Sequence, residues 1–89
     1  MNTRTARQQL LDEGFDRVFV AQDAPGIEYP PHKHPFIAAH IVLKGAMTLT
    51  VKGKKTVLKA GDRLDVPANT VHVAQIGPAG CTFVIGQKD

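Results

Sequence analysis

Residues 26–45 read GIEYPPHKHPFIAAHIVLKG, and the second half of that stretch decides the fold. Its even positions carry His34, Phe36, Ala38, His40 and Val42, and its odd positions carry Ile37, Ala39, Ile41 and Leu43. Successive side chains of a strand point to opposite faces, so this is a strand that is apolar on both sides. A strand of that kind needs cover on its outer face as well as a core on its inner one. A second copy of the chain is the simplest cover, which predicts a homodimer with Ile37, Ile41 and Leu43 at its interface.

Outward from this strand the pattern is a series of short β-type runs: RVFVAQ, MTLTVKG, TVLKAG, RLDVP, TVHVAQI and TFVIG. Pro, Gly and Asn punctuate them at close intervals. None is followed by the long helical crossover that parallel strands require, so the expected class is all-β, an antiparallel jelly-roll barrel. KGAM and KGKK read as tight hairpin connections, and PANT as a turn in which Asn69 takes a positive φ. The stretch from about Thr5 to Glu13 holds good helix formers, with Gly14 at the position of a C-terminal cap. The expectation is one domain over 1–89, residues 1–14 forming an N-terminal helical segment and 15–89 the barrel.

Composition narrows the function classes. The 89 residues are 43% hydrophobic and 21% charged, with no apolar run long enough to span a membrane. The N-terminal MNTRTARQQLLDEGF lacks the apolar segment and cleavage site of a secretory signal, so a cytoplasmic location is the expectation. The net charge of +3 comes from scattered residues, the densest group being Lys52, Lys54 and Lys55 in a turn, which argues against nucleic acid as a partner. Cys81 is the only cysteine and reads as a packed small hydrophobe.

The histidines carry the chemistry. His32, His34 and His40 lie within nine residues, all at even positions, and His72 opens a later strand. Imidazole suits first-row transition metals, and residues two apart on a strand project into one cavity, so the HKH triplet is a candidate pair of ligands. Pro35 introduces a bulge or twist between the pair and His40. A short HxH on a solvated edge would carry no such role.

These residues stand in two motifs that resemble those of the cupin superfamily, over a span from about Arg17 to Gly86. Gly26, His32, His34 and Gly45 match the spacing of the first motif. Gly61, Pro67 and His72, in GDRLDVPANTVH, match the second, with Asn69 in place of a common glycine. The resemblance implies a jelly-roll barrel with one divalent transition metal ion near its centre, of iron, manganese, nickel, copper or zinc, held by His32, His34 and His72. The glutamate that usually completes the family site falls at Ala38. The remaining three-histidine set is similar to the all-histidine iron sites of some cupin dioxygenases.

Three roles are open to His40: a fourth metal ligand in place of the missing glutamate, a catalytic acid or base beside the metal, or a core histidine bonded to a backbone carbonyl. Without a metal, several neutral imidazoles would be packed in an apolar barrel short of hydrogen-bond partners. Phe36, Val42, Leu64 and Val66 are expected to line a cavity for a small-molecule ligand, with Ala38 and Ala74 leaving space. Arg17, Tyr29 and Arg63 are candidates for its mouth, although an exposed arginine is commonly just solvated. Two function classes follow: a metal-dependent, dioxygenase-like oxidoreductase, and a binding or sensing barrel without turnover.

Overall fold

The computed structural model describes residues 1–89. Helix α1 spans Thr3–Asp12, starting earlier than expected because the Asn2 side chain caps it, accepting a hydrogen bond from the Thr5 N–H at 2.8 Å. Gly14, at φ +93°, ends it, and the Phe15 N–H folds back to the Leu10 carbonyl. Six strands follow: β1 (Arg17–Asp23), β2 (Glu28–His32), β3 (Ile37–Val51), β4 (Lys54–Lys59), β5 (Arg63–Val66) and β6 (His72–Lys88). Every pairing is antiparallel, as the jelly-roll reading requires.

Two long strands organise the barrel. β3 and β6 pair along most of their length, and each has two further partners on its outer edge. One layer runs β1, β6, β3, β5, and the other runs β2, β6, β3, β4. The bend that separates the layers lies at Gly45 in β3 and near Gly80 in β6. KGAM is therefore not a hairpin: β3 runs through it, with register shifts between Val42 and Lys44 and between Gly45 and Met47. TVHVAQI and TFVIG likewise join into the single strand β6.

Gly45 is required at that bend. It sits at φ +78°, and a Cβ there would overlap the Gly80 carbonyl oxygen. Gly45→Ala is expected to destabilise the fold by about 2 kcal/mol or more, from the positive φ and the backbone contact together. Urea unfolding of the variant against the parent protein measures this. KGKK does form a hairpin, with Lys52 at φ 51° and Gly53 at φ 78°, and Asn69 takes φ 58° as expected.

The bulges also exchange the faces of β3. Ala38, His40 and Val42 point inward before them, and Met47 and Leu49 after them. The main core lies between the layers, built from Val42, Met47, Leu49, Leu58, Val66, Phe83 and their neighbours, with the Cys81 thiol buried at its edge. A second cluster, Ala6, Leu10, Phe15, Ala39, Ile41 and Val84, lies on the outer face of β3 and β6. Here the expectation is corrected. The chain's own helix, not a second copy, covers Ile41, with Ile37 and Leu43 packed at the margin of the same cluster.

Arg63 fastens the helix end to β5. Its guanidinium makes two 2.7 Å bonds to the Glu13 carboxylate and two, of 2.8 and 2.9 Å, to Asp65. This bidentate pairing holds the Glu13 carboxyl down at about 2, below its ordinary 4.5. A depressed carboxyl contributes stability above its unfolded pKa and loses it as pH falls toward the folded value. The melting temperature is thus expected to fall between pH 4.5 and about 2, and less steeply in Glu13→Gln, when both are followed by circular dichroism.

Candidate metal centre

His32 is the last residue of β2 and His72 the first of β6, and the two are cross-strand partners. That register brings their ring centroids to 4.2 Å. His34 lies beyond the end of β2, in the connection to β3, where the Asn69 N–H donates to its carbonyl at 2.6 Å. The HKH pair converges because a strand end turns into that connection, and not through the pleat of one continuous strand. The His34 ring stands 4.9 Å from His32 and 5.4 Å from His72, and stacks on Phe36 at 4.8 Å.

The ligand nitrogens of His32, His34 and His72 all lie within 4.8 Å of one another. The second ring nitrogens fix which atoms are free. His32 Nδ1 is 2.6 Å from the Pro30 carbonyl, and His72 Nδ1 is 2.9 Å from the Thr70 carbonyl. A carbonyl only accepts, so both Nδ1 atoms carry the proton and both Nε2 lone pairs are available to a cation. Burial, with the neighbouring His32 and His72 charges, lowers the His34 pKa and favours its neutral, ligating form. The donor set fits a transition metal ion.

The three rings open onto a cavity of about 460 Å³ between the layers. Phe19, Ala21, Met47, Ala74, Phe83 and Ile85 form apolar walls, and Tyr29, His40 and Gln87 add polar groups. Ala38 and Ala74 leave space as expected, but Phe36, Val42, Leu64 and Val66 do not line it. Val42 and Val66 are consumed by the core, Leu64 packs against it, and Phe36 lies outside the cavity with Arg17 over its ring at 5.2 Å. Of the three residues named for the mouth, Tyr29 alone borders the cavity. Its hydroxyl donates to Asp23 at 2.6 Å, and this bond pushes its pKa up to about 12.

His40 lines the same cavity but stands outside the three-histidine cluster. Its Nδ1 is buried with no hydrogen-bond partner, and burial pushes its pKa down to about 4, so the ring is neutral. The Leu64 and Ala38 backbone acts against this shift without outweighing it. The cavity residues missed from the sequence are Phe19 and Ala21 of β1, Pro30 of β2, Met47 of β3, and Phe83, Ile85 and Gln87 of β6. Phe83, Ile85 and Gln87 alternate in TFVIGQ, and that period was the available signal.

A model of the cupin domain matches residues 19–83. The chain belongs to the cupin family. It is 30% identical over 67 residues to dimethylsulfoniopropionate lyase DddW of Ruegeria pomeroyi, covering 75% of this chain and 44% of that protein. The chain thus spans less than half the length of this curated relative. Among solved structures, this cupin superposes on DMSP lyase DddQ of Ruegeria pomeroyi with a TM-score of 0.75 and 20% identity, over 81% of this chain and 37% of that one. An RmlC-like cupin from Shewanella frigidimarina gives a TM-score of 0.69 and 26% identity, over 79% and 64% of the two chains. No helix of this cupin is long and apolar enough to cross a membrane.

Proposed function

We propose that residues 1–89 act as one metal-dependent enzymatic domain, with His32, His34 and His72 as ligands of one divalent transition metal and a small organic substrate in the adjoining cavity. The observation that carries this reading is the convergence of the three imidazoles, two of them locked by the Pro30 and Thr70 carbonyls, at the wall of an apolar cavity. A bound ion would supply a Lewis acid beside the cavity, held by three imidazoles without a carboxylate, since Ala38 stands at the place of the family glutamate.

The chain's own groups do the rest. The Pro30 and Thr70 carbonyls hold the His32 and His72 rings in one tautomer and orientation. Phe19, Met47, Phe83 and Ile85 keep water from the bound molecule. Neutral His40, with an unpartnered Nδ1, serves as the acid or base of the pocket and not as a fourth ligand. Two reactions suit this arrangement. Oxygen-dependent cleavage is supported by the resemblance of the three-histidine set to all-histidine iron sites, and elimination from a small carboxylic acid by the likeness to the named lyase.

Tag-free protein reconstituted anaerobically with iron, manganese, nickel, copper and zinc in turn is expected to hold close to one ion per chain by elemental analysis. Substoichiometric metal across the series overturns the proposal. Oxygen uptake with thiols, diketones and phenols reports the oxygenase, and volatile sulfide released from dimethylsulfoniopropionate reports the lyase. With either activity, His40→Gln is expected to retain the metal and lose about a hundredfold in kcat. A loaded protein silent on every substrate is a binding barrel.

A further inference from the structure

Besides the clustered histidines, three polar side chains line the cavity: Tyr29, His40 and Gln87. Tyr29 commits its hydroxyl to Asp23, and His40 stands outside the three-histidine cluster. Gln87, the single carboxamide of the lining, has the more telling position. It is the cross-strand partner of Ala38, the place of the missing family glutamate. Directly opposed residues of an antiparallel pair point to the same face, with Cβ atoms about 5 Å apart. Both residues line the cavity, so Gln87 stands beside the room that Ala38 leaves.

The carboxamide is already oriented. Arg17, its partner on the other side in β1, donates from Nε to Gln87 Oε1 at 3.2 Å. A guanidinium only donates, so the atom it holds is the oxygen and not the amide nitrogen. The same guanidinium lies 5.2 Å over the Phe36 ring, and Phe36 stacks on His34 at 4.8 Å. The Gln87 oxygen is thereby held at the end of the cavity where His34 stands. A carbonyl oxygen has two lone pairs, and the Arg17 bond leaves one of them free.

We infer that Gln87 Oε1 is a fourth ligand of the ion, supplied from β6 in place of the carboxylate that β3 lacks, with Arg17 as its positioning residue. This role rests on the three-histidine centre and adds one oxygen donor to it. Glutamine has as many side-chain bonds as glutamate. Starting one strand away, about 4.8 Å to the side, it leans into the room over Ala38. The two ligand sets differ in charge: three imidazoles and a carboxamide are all neutral, so the ion keeps its full charge toward a bound substrate. They also differ in preference, since a carbonyl oxygen suits manganese, whereas imidazole suits copper and zinc.

Manganese and zinc, each added alone to the metal-free full chain in competition with a chromophoric chelator, give the two affinities. Gln87→Ala is expected to lower manganese affinity about tenfold or more and zinc affinity by a smaller factor, with an unchanged far-ultraviolet spectrum. Gln87→Glu is expected to retain manganese binding, and Ala38→Glu added to Gln87→Ala to restore it. Arg17→Met, which leaves the oxygen in place but frees it, is expected to lower manganese affinity by less than Gln87→Ala does. Should Gln87→Ala perturb folding, Gln87→Leu, which keeps the volume, carries the same expectation. Unchanged manganese affinity, or equal losses for both ions, overturns the role of Gln87 and leaves the three histidines as ligands. A parent chain that takes up neither ion overturns both.

Discussion

Replacing His34 by alanine is expected to lower metal affinity by more than about a hundredfold while leaving the barrel folded. Loss of an outer-shell partner alone costs about 10–100-fold at such sites, and loss of a ligand costs more. His34 suits the test because it makes no side-chain hydrogen bond and lies beyond β2, so its removal leaves every strand pairing intact. His72→Ala is less clean: that ring is 3% exposed and bonded to the Thr70 carbonyl, so truncation opens a cavity as well. Elemental analysis after dialysis against a weak chelator reads the loss, and an unchanged thermal transition of the metal-free protein shows that the fold survives. His40→Ala beside it is expected to keep the ion, because His40 lies outside the ligand cluster.

The parts of this structure legible in the sequence are those where one local rule decides. Asn69 and the Lys52–Gly53 pair take positive φ because a turn demands it and few residues tolerate it. The two apolar faces of Ile37–Leu43 were visible as alternation, and the three histidines as two motifs. What was hidden depends on tertiary partners. Gly45 looks like a hairpin glycine, yet its φ serves a bulge whose reason is the Gly80 carbonyl, far away in sequence. β2 was hidden because Pro30 and Pro31 speak against a strand, and they are tolerated there because β2 is an edge. The break expected at Pro35 is present, since β3 starts only at Ile37, and His40 lines the same cavity as the pair while standing outside the three-histidine cluster.

The largest such error concerned the outer face of β3, and it defines the second prediction. Leu10→Ala is expected to cost about 3 kcal/mol and lower the melting temperature by about 10–20 °C, the range for a fully buried leucine in a domain of this size. Leu10 is 0% exposed and packs with Phe15 over Gly86, whose missing Cβ leaves room for both side chains. Leu11, 47% exposed on the same helix, is the control, and Leu11→Ala is expected to change stability by less than about 0.5 kcal/mol. A ten-residue helix is marginal by itself, so what holds α1 in place is this contact together with the Arg63–Glu13 pair. If a second copy covered Ile41 and Val84 instead, Leu10 would lie outside the contact and Leu10→Ala would cost little. The three clustered histidines stand on β2, its connection to β3 and the start of β6, on the opposite side of the sheet from Leu10. Metal content below the transition is therefore expected to be the same in Leu10→Ala as in the parent, which separates the cover of the barrel from the chemistry inside it.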